Sequence, residues 1–123
     1  MNTDALKSKM EWRLTGTVRG VKIRGTLPEQ GNACYYGCGS DSYGYQIGKV
    51  ADDGLTFEVL NQDGSLRGTA ILATNKRFRG AGNYYFVNWE GKPSYYYSRG
   101  ILYGDIHVTD EKGCGETYLD PSF

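Results

Sequence analysis

The alternation of residues 12–27 constrains this chain more than any other feature of its sequence. Trp12, Leu14, Gly16 and Val18 share one side of a period-two pattern, and Arg13, Thr15, Thr17 and Arg19 share the other, which is the spacing of a half-buried strand. At Gly20 the register flips, and Val21, Ile23, Gly25 and Leu27 become the apolar set against Lys22, Arg24 and Thr26. A two-residue turn at Arg19 and Gly20 would set Val18 opposite Val21, Gly16 opposite Ile23, Leu14 opposite Gly25 and Trp12 opposite Leu27. A bulge at Gly20 in one bent strand explains the same flip; the hairpin is preferred because every apolar residue then meets an apolar or small partner.

Further strand-like runs follow at 43–50, 55–60, 66–74, 77–89 and 95–109, separated by Asp52-Asp53-Gly54, Gln62-Asp63-Gly64, Asn75-Lys76 and Glu90-Gly91-Lys92-Pro93, all of which favour turns. Before them, residues 28–42 read as a long turn-rich connection, the loop with most scope for function. Thr3 is placed to cap a short helix reaching Met10, with Leu6 and Met10 on its apolar side. The pattern predicts an all-β fold, a small antiparallel β-barrel of about seven or eight strands with a short N-terminal helix, with a β-sandwich as the alternative. Glycines inside the strand patterns, among them Gly48 and Gly68, favour the barrel, since they permit the sharp coiling that closure requires.

With 123 residues the chain is expected to be a single domain, 1–123, large enough to bury one core without obligatory metal or disulfide support. Lys+Arg and Asp+Glu both number 14, so global charge predicts no nucleic-acid or membrane partner. No apolar stretch approaches the ~20 residues of a membrane-spanning helix, and the first ten residues lack a secretory core. Three cysteines cannot all pair within one chain, so the cytoplasm is the expected location.

Four constellations could carry chemistry. Cys34, Cys38, His107 and Cys114 are the ligand types that tetrahedral zinc prefers, yet the Cys-x3-Cys spacing is loose; ordinary thiols are the commoner outcome, a disulfide is a third, and no cofactor is expected. In the final long run, alternation puts Tyr103, Asp105 and His107 on one face, where a carboxylate could orient an imidazole base with a phenol as donor. Eleven tyrosines exceed what a small core holds, and Tyr35, Tyr36, Tyr43 and Tyr45 about the long loop, with Tyr97 and Arg99, form the expected ligand-binding set. Arg13, Arg19, Lys22 and Arg24, with Lys76, Arg77 and Arg79 later, make a basic strand face. Such a face could hold a single-stranded nucleic acid, although net neutrality and the ordinary solvation of strand faces weigh against it. Gly80-Ala81-Gly82 opens no helix and is no dinucleotide motif.

The leading expectation is therefore a non-enzymatic module that holds a small molecule or protein at a Tyr-rich barrel mouth and the 31–42 loop. The alternative is a small barrel enzyme of the cyclase, isomerase or dehydratase type, using Asp105, His107 and Tyr103. A second alternative is an interaction protein that forms a homodimer through exposed aromatic strands.

Overall fold

The computed structural model describes residues 11–38 and 40–121; the predicted helix over residues 3–10 lies outside them. Ten strands form three sheets: β1 (Thr17–Val18) and β2 (Val21–Lys22) make one hairpin, β8 (Tyr96–Ser98) and β9 (Ile101–Tyr103) another. The other six close into an antiparallel barrel in the order β10-β3-β4-β5-β6-β7, comprising β3 (Asn32–Cys38), β4 (Asp41–Val50), β5 (Thr56–Leu60), β6 (Leu66–Leu72), β7 (Tyr84–Asn88) and β10 (Asp105–Lys112). Five strands follow one another as a meander, and β10 then closes the cylinder between β7 and β3. The all-β barrel is as expected, but the strand number is six in the barrel and ten among the described residues.

Alternation explains the barrel wall. Phe57 and Val59 of β5, Ala70 and Leu72 of β6, Tyr84 and Phe86 of β7, and Ile106 and Val108 of β10 are all buried, with half-exposed or exposed residues between them. Ala70 pairs with both Phe57 and Phe86, so a small side chain sits between two rings and lets the layers interlock. Six strands enclose less space than the eight that side chains just fill, and here the interior is packed with Cys34, Ile47 and the residues above. Shifts of register between Ile47 and Val50 in β4 and between Val59 and Leu60 in β5 supply the coiling that closure needs.

Several expectations are corrected. The hairpin at Arg19 and Gly20 forms, with Val18 opposite Val21, and both turn residues have positive φ (50° and 75°), the backbone of a type I′ turn. It extends only as far as Gly16, whose carbonyl accepts from the Ile23 amide at 2.8 Å. Residues 11–15 are helical rather than extended, so Leu14 stands 91% exposed while Trp12 is buried. A strand, β3, occupies the stretch read as a long loop. Residues 75–83 form successive turns in place of the start of the 77–89 strand. The long run 95–109 is cut by a tight turn at Arg99 and Gly100 (φ 53° and 78°) and by Gly104 (φ 88°), yielding β8, β9 and β10.

The two barrel ends are finished differently. At one end Trp12, Val18 and Ile23 join the core as a plug. The Trp12 indole N–H donates to the Asp52 carbonyl at 2.8 Å, and its ring lies so close over Gly54 that a Cβ there would sit 2.4 Å from Cδ2. The Tyr84 hydroxyl crosses the same end to donate to the Gly54 carbonyl at 2.5 Å. The residues after β10 run along the outer wall of β4: Ser42 and Tyr118 exchange two backbone hydrogen bonds, each 2.7 Å, and the Gly44 amide donates to Thr117 Oγ1 at 3.1 Å. A Cβ on Gly44 would fall 2.1 Å from the Gly115 carbonyl oxygen. Among the described residues, no helix is long and apolar enough to cross a membrane.

Candidate functional site

The end opposite the plug is the barrel mouth, ringed by the β3–β4, β5–β6 and β7–β8 connections. Because Cys34 and Tyr36 point inward from β3 and Tyr43 and Tyr45 from β4, the pairing of Tyr36 with Tyr43 and of Cys34 with Tyr45 stacks three phenols along one inner wall. Tyr36 and Tyr43 stack with centroids 6.5 Å apart, Tyr36 leans on Phe86 at 5.5 Å, and Tyr45 stacks on Phe86 at 6.1 Å. Tyr45 and Phe86 are buried, whereas Tyr36 and Tyr43 are half-buried at the rim. The Tyr36 hydroxyl donates to the Ser94 carbonyl at 2.9 Å, which draws the connection leading to β8 over one side of the opening. The same connection is tied down where the Ser94 amide donates to the Phe86 carbonyl at 2.9 Å.

The remaining members of the predicted ligand-binding set lie elsewhere. Tyr35 faces the outer wall, where Gly115 approaches its ring. Tyr97 stacks on Phe78 at 4.0 Å, outside the barrel. Arg99 sits in the exposed turn of the β8–β9 hairpin. The structure thus brings Tyr36, Tyr43 and Tyr45 together and disperses Tyr35, Tyr97 and Arg99. Phe86 and Ser94 join the mouth without having been singled out; Phe86 was legible as an inward residue two positions from Tyr84, whereas no local signal points to the Ser94 carbonyl.

Asp105 and His107 both project from the outer wall of β10, opposite Tyr85 and Tyr35 respectively. His107 is exposed. Tyr103 belongs to β9, beyond the kink at Gly104, and stacks on Tyr96 with centroids 5.0 Å apart. It therefore belongs to the β8–β9 hairpin and not to the wall strand that carries Asp105 and His107.

Cys34 is buried inside the barrel with no exposed surface, and burial, reinforced by the nearby Cys114 thiol, pushes its ionisation up to about 12. It is a neutral thiol that fills space. Cys114 lies in the outer segment with its sulfur 4.0 Å from the Gly44 carbonyl, its ionisation also raised by burial. Among the described residues, no three of His, Cys, Asp and Glu come together as a metal-binding group; the Cys38 side chain is outside that set. Compared with known proteins, the chain matches no family model, no curated protein and no solved structure.

Proposed function

We propose that the protein is a non-catalytic binding module that reads a small ring-bearing ligand, or a ring presented by a protein, with the tyrosines at its barrel mouth. The observation that carries this reading is the asymmetry of the two ends. One is sealed by Trp12, Val18 and Ile23, while at the other the inner aromatic wall ends in two half-buried phenols, Tyr36 and Tyr43, stacked side by side. Phenols combine a broad apolar face with a polar tip and have little side-chain entropy to lose, so a rim of them is suited to stacking on a flat partner. Because side chains fill the barrel, the ligand would lie across the mouth and not within it.

The test is a titration of 15N-labelled protein with glucose, cellobiose, adenosine and indole, followed by two-dimensional NMR. At least one probe should shift the amides of Tyr36, Tyr43, Phe86 and Ser94, and Tyr43→Ala should abolish those shifts. Shifts confined to other parts of the surface, or none at millimolar probe, would overturn the reading.

A further inference from the structure

The neutral total conceals a segregated surface. Half of the 14 basic residues fall in three stretches, 19–28, 74–89 and 94–104, that contain no Asp or Glu, and the fold gathers the cationic parts of these stretches at the plugged end. The Arg24 amide donates to the Gly82 carbonyl at 3.0 Å, Lys76 Nζ lies 3.1 Å from where a Cβ on Gly20 would be, and the Arg79 amide donates to the Gly100 carbonyl. Val21 and Ile23 point into the core, so Lys22 and Arg24 face out. Together with Lys76 they line a cleft of about 580 Å³ between the β1–β2 hairpin and the 76–81 turns. Arg19, Arg77, Arg79 and Arg99 are exposed around it. The salt bridges among the described residues are Lys92–Glu90 and Lys112–Glu29, and neither involves any of these seven cations.

Lys22, Arg24 and Lys76, without a salt-bridge partner among the described residues, repel one another across the cleft, a cost that an anionic partner would relieve. A polyanion responds to charge within about 10 Å at ordinary ionic strength, so the lining of this cleft, which holds Lys22, Arg24 and Lys76 and no carboxylate, weighs more than the neutral total; Glu11 and Asp53 line the adjoining cleft beside Arg19. The cleft wall also carries Phe78, which is backed by Tyr97 in a stack of 4.0 Å and 20°. The Phe78 ring offers an unpaired base a surface on which to stack. We propose that this cleft binds single-stranded nucleic acid, with Lys22, Arg24 and Lys76 on the phosphates and the Phe78–Tyr97 pair beneath a base. The surface lies at the opposite end from the tyrosine mouth, so failure of either reading leaves the other standing.

The experiment is fluorescence anisotropy of a fluorescein-labelled twelve-residue oligothymidylate with the whole protein. Binding is expected on the order of 10 μM at 50 mM salt, with a log–log salt slope near −3 if about four phosphates are engaged. The Lys22→Gln/Arg24→Gln/Lys76→Gln variant should bind at least ~10-fold more weakly, while Lys49→Gln/Arg67→Gln/Lys92→Gln, with the same charge removed from elsewhere, should lose less than ~3-fold. Phe78→Leu keeps every charge and should bind ~10-fold more weakly through lost stacking; thermal unfolding verifies that each variant is folded. Four results would overturn the proposal: no anisotropy change at 100 μM protein; equal losses in the two triple variants; tighter binding of a twelve-base-pair duplex than of the single strand; or binding to phosphatidylserine vesicles with none to the oligonucleotide. Unaltered binding by Phe78→Leu would remove the base-stacking role.

Discussion

Trp12 and Gly54 offer the sharpest test of the plug, because their contact is too close to tolerate an added methyl group. Replacing Gly54 with Ala has two separable costs. Its φ of +74° is left-handed, where a Cβ costs about 1–2 kcal/mol in any context. The new Cβ would also lie 2.4 Å from Cδ2 and 2.7 Å from Cε2 of Trp12, so the ring must shift, adding about 1–3 kcal/mol of overpacking. Trp12→Ala alone empties a site that is 3% exposed and strands the Asp52 carbonyl, a loss of about 3–5 kcal/mol from a total stability that is typically about 5–15 kcal/mol.

The double variant isolates the contact. With the indole gone, Gly54→Ala should cost only its backbone strain, so the coupling between the two sites should be about 1–3 kcal/mol. Urea unfolding of the four proteins, followed by far-UV circular dichroism so that the lost tryptophan does not affect the signal, gives each free energy. If Gly54→Ala costs the same with and without Trp12, the ring does not pack on Gly54, and the picture of the 11–15 helix as the barrel's plug is wrong.

Three further outcomes follow from the same structure. Gly44→Ala should drive its Cβ into the Gly115 carbonyl and release residues 113–120, read as faster hydrogen exchange there while barrel amides stay protected; unaltered protection in that segment would refute the close approach. Tyr84→Phe should cost about 1–2 kcal/mol, because the Gly54 carbonyl loses its hydroxyl donor. Stability should decline at alkaline pH: the Cys34 proton is held to about 12 in the fold against an ordinary value of 9.0, chiefly by burial. The contribution is thus complete below pH ~9 and lost at about 1.4 kcal/mol per unit as pH rises toward 12. Tyr84, whose ionisation burial also raises, adds to the loss above its own ordinary value. Cys34→Ala should flatten the decline between pH 9 and 10 in urea titrations, and identical slopes would contradict a buried neutral thiol.

The barrel was legible where one face of a strand meets the core and the other meets water. Phe57 and Val59, or Ala70 and Leu72, alternate plainly with exposed neighbours, and the runs containing them were read as strands. β3 was not, because both its faces are covered: Cys34 lies inside the barrel, Ala33 is buried, and Tyr35 sits under the Gly115 segment. With no polar side to its pattern, its Asn32 and Gly37 read as turn residues. Residues 12–15 failed in the opposite sense. Trp12 and Leu14 alternate, but only Trp12 is needed at the barrel end, and a helical turn with the Gly16 amide donating to the Trp12 carbonyl at 2.8 Å delivers it. In the run 95–109 the period continues through the breaks, since Arg99 and Gly100 preserve the count of two while reversing the chain. At Gly104 the Ser94 carbonyl oxygen comes so near that an added Cβ would lie 2.2 Å from it, a contact ten residues away in sequence with no local signature. The mouth is therefore largely legible, with Tyr36, Tyr43 and Tyr45 in the expected set, Phe86 inward by alternation from Tyr84, and Ser94 alone supplied by topology.

Closure of the barrel also dictates where recognition can occur. All six wall strands are paired on both sides, so the wall has no free backbone edge with which to recruit a partner strand. Its inward residues are committed to one another except at the mouth, where Tyr36 and Tyr43 remain half-buried. What remains is the chain that the barrel does not need for closure: the helix and β1–β2 hairpin of the plug, the 74–83 turns, the β8–β9 hairpin and the segment after β10. The cations around the cleft lie in these additions, and so do the exposed rings Tyr96 (62%) and Tyr118 (58%). A six-stranded cylinder too narrow to hold a ligand still provides a rigid support for them. The turns that carry Lys76 and Phe78 are fixed at their base, where the Ala73 amide donates to the Asn83 carbonyl at 2.8 Å and the Gly82 amide donates to the Ala73 carbonyl at 2.9 Å. Substitutions of exposed cations around the cleft should therefore alter oligonucleotide binding while leaving the unfolding free energy nearly unchanged, and substitutions of fully buried wall residues such as Val59 and Ala70 should do the reverse. That division of labour separates the residues that build the fold from those available to give it a purpose.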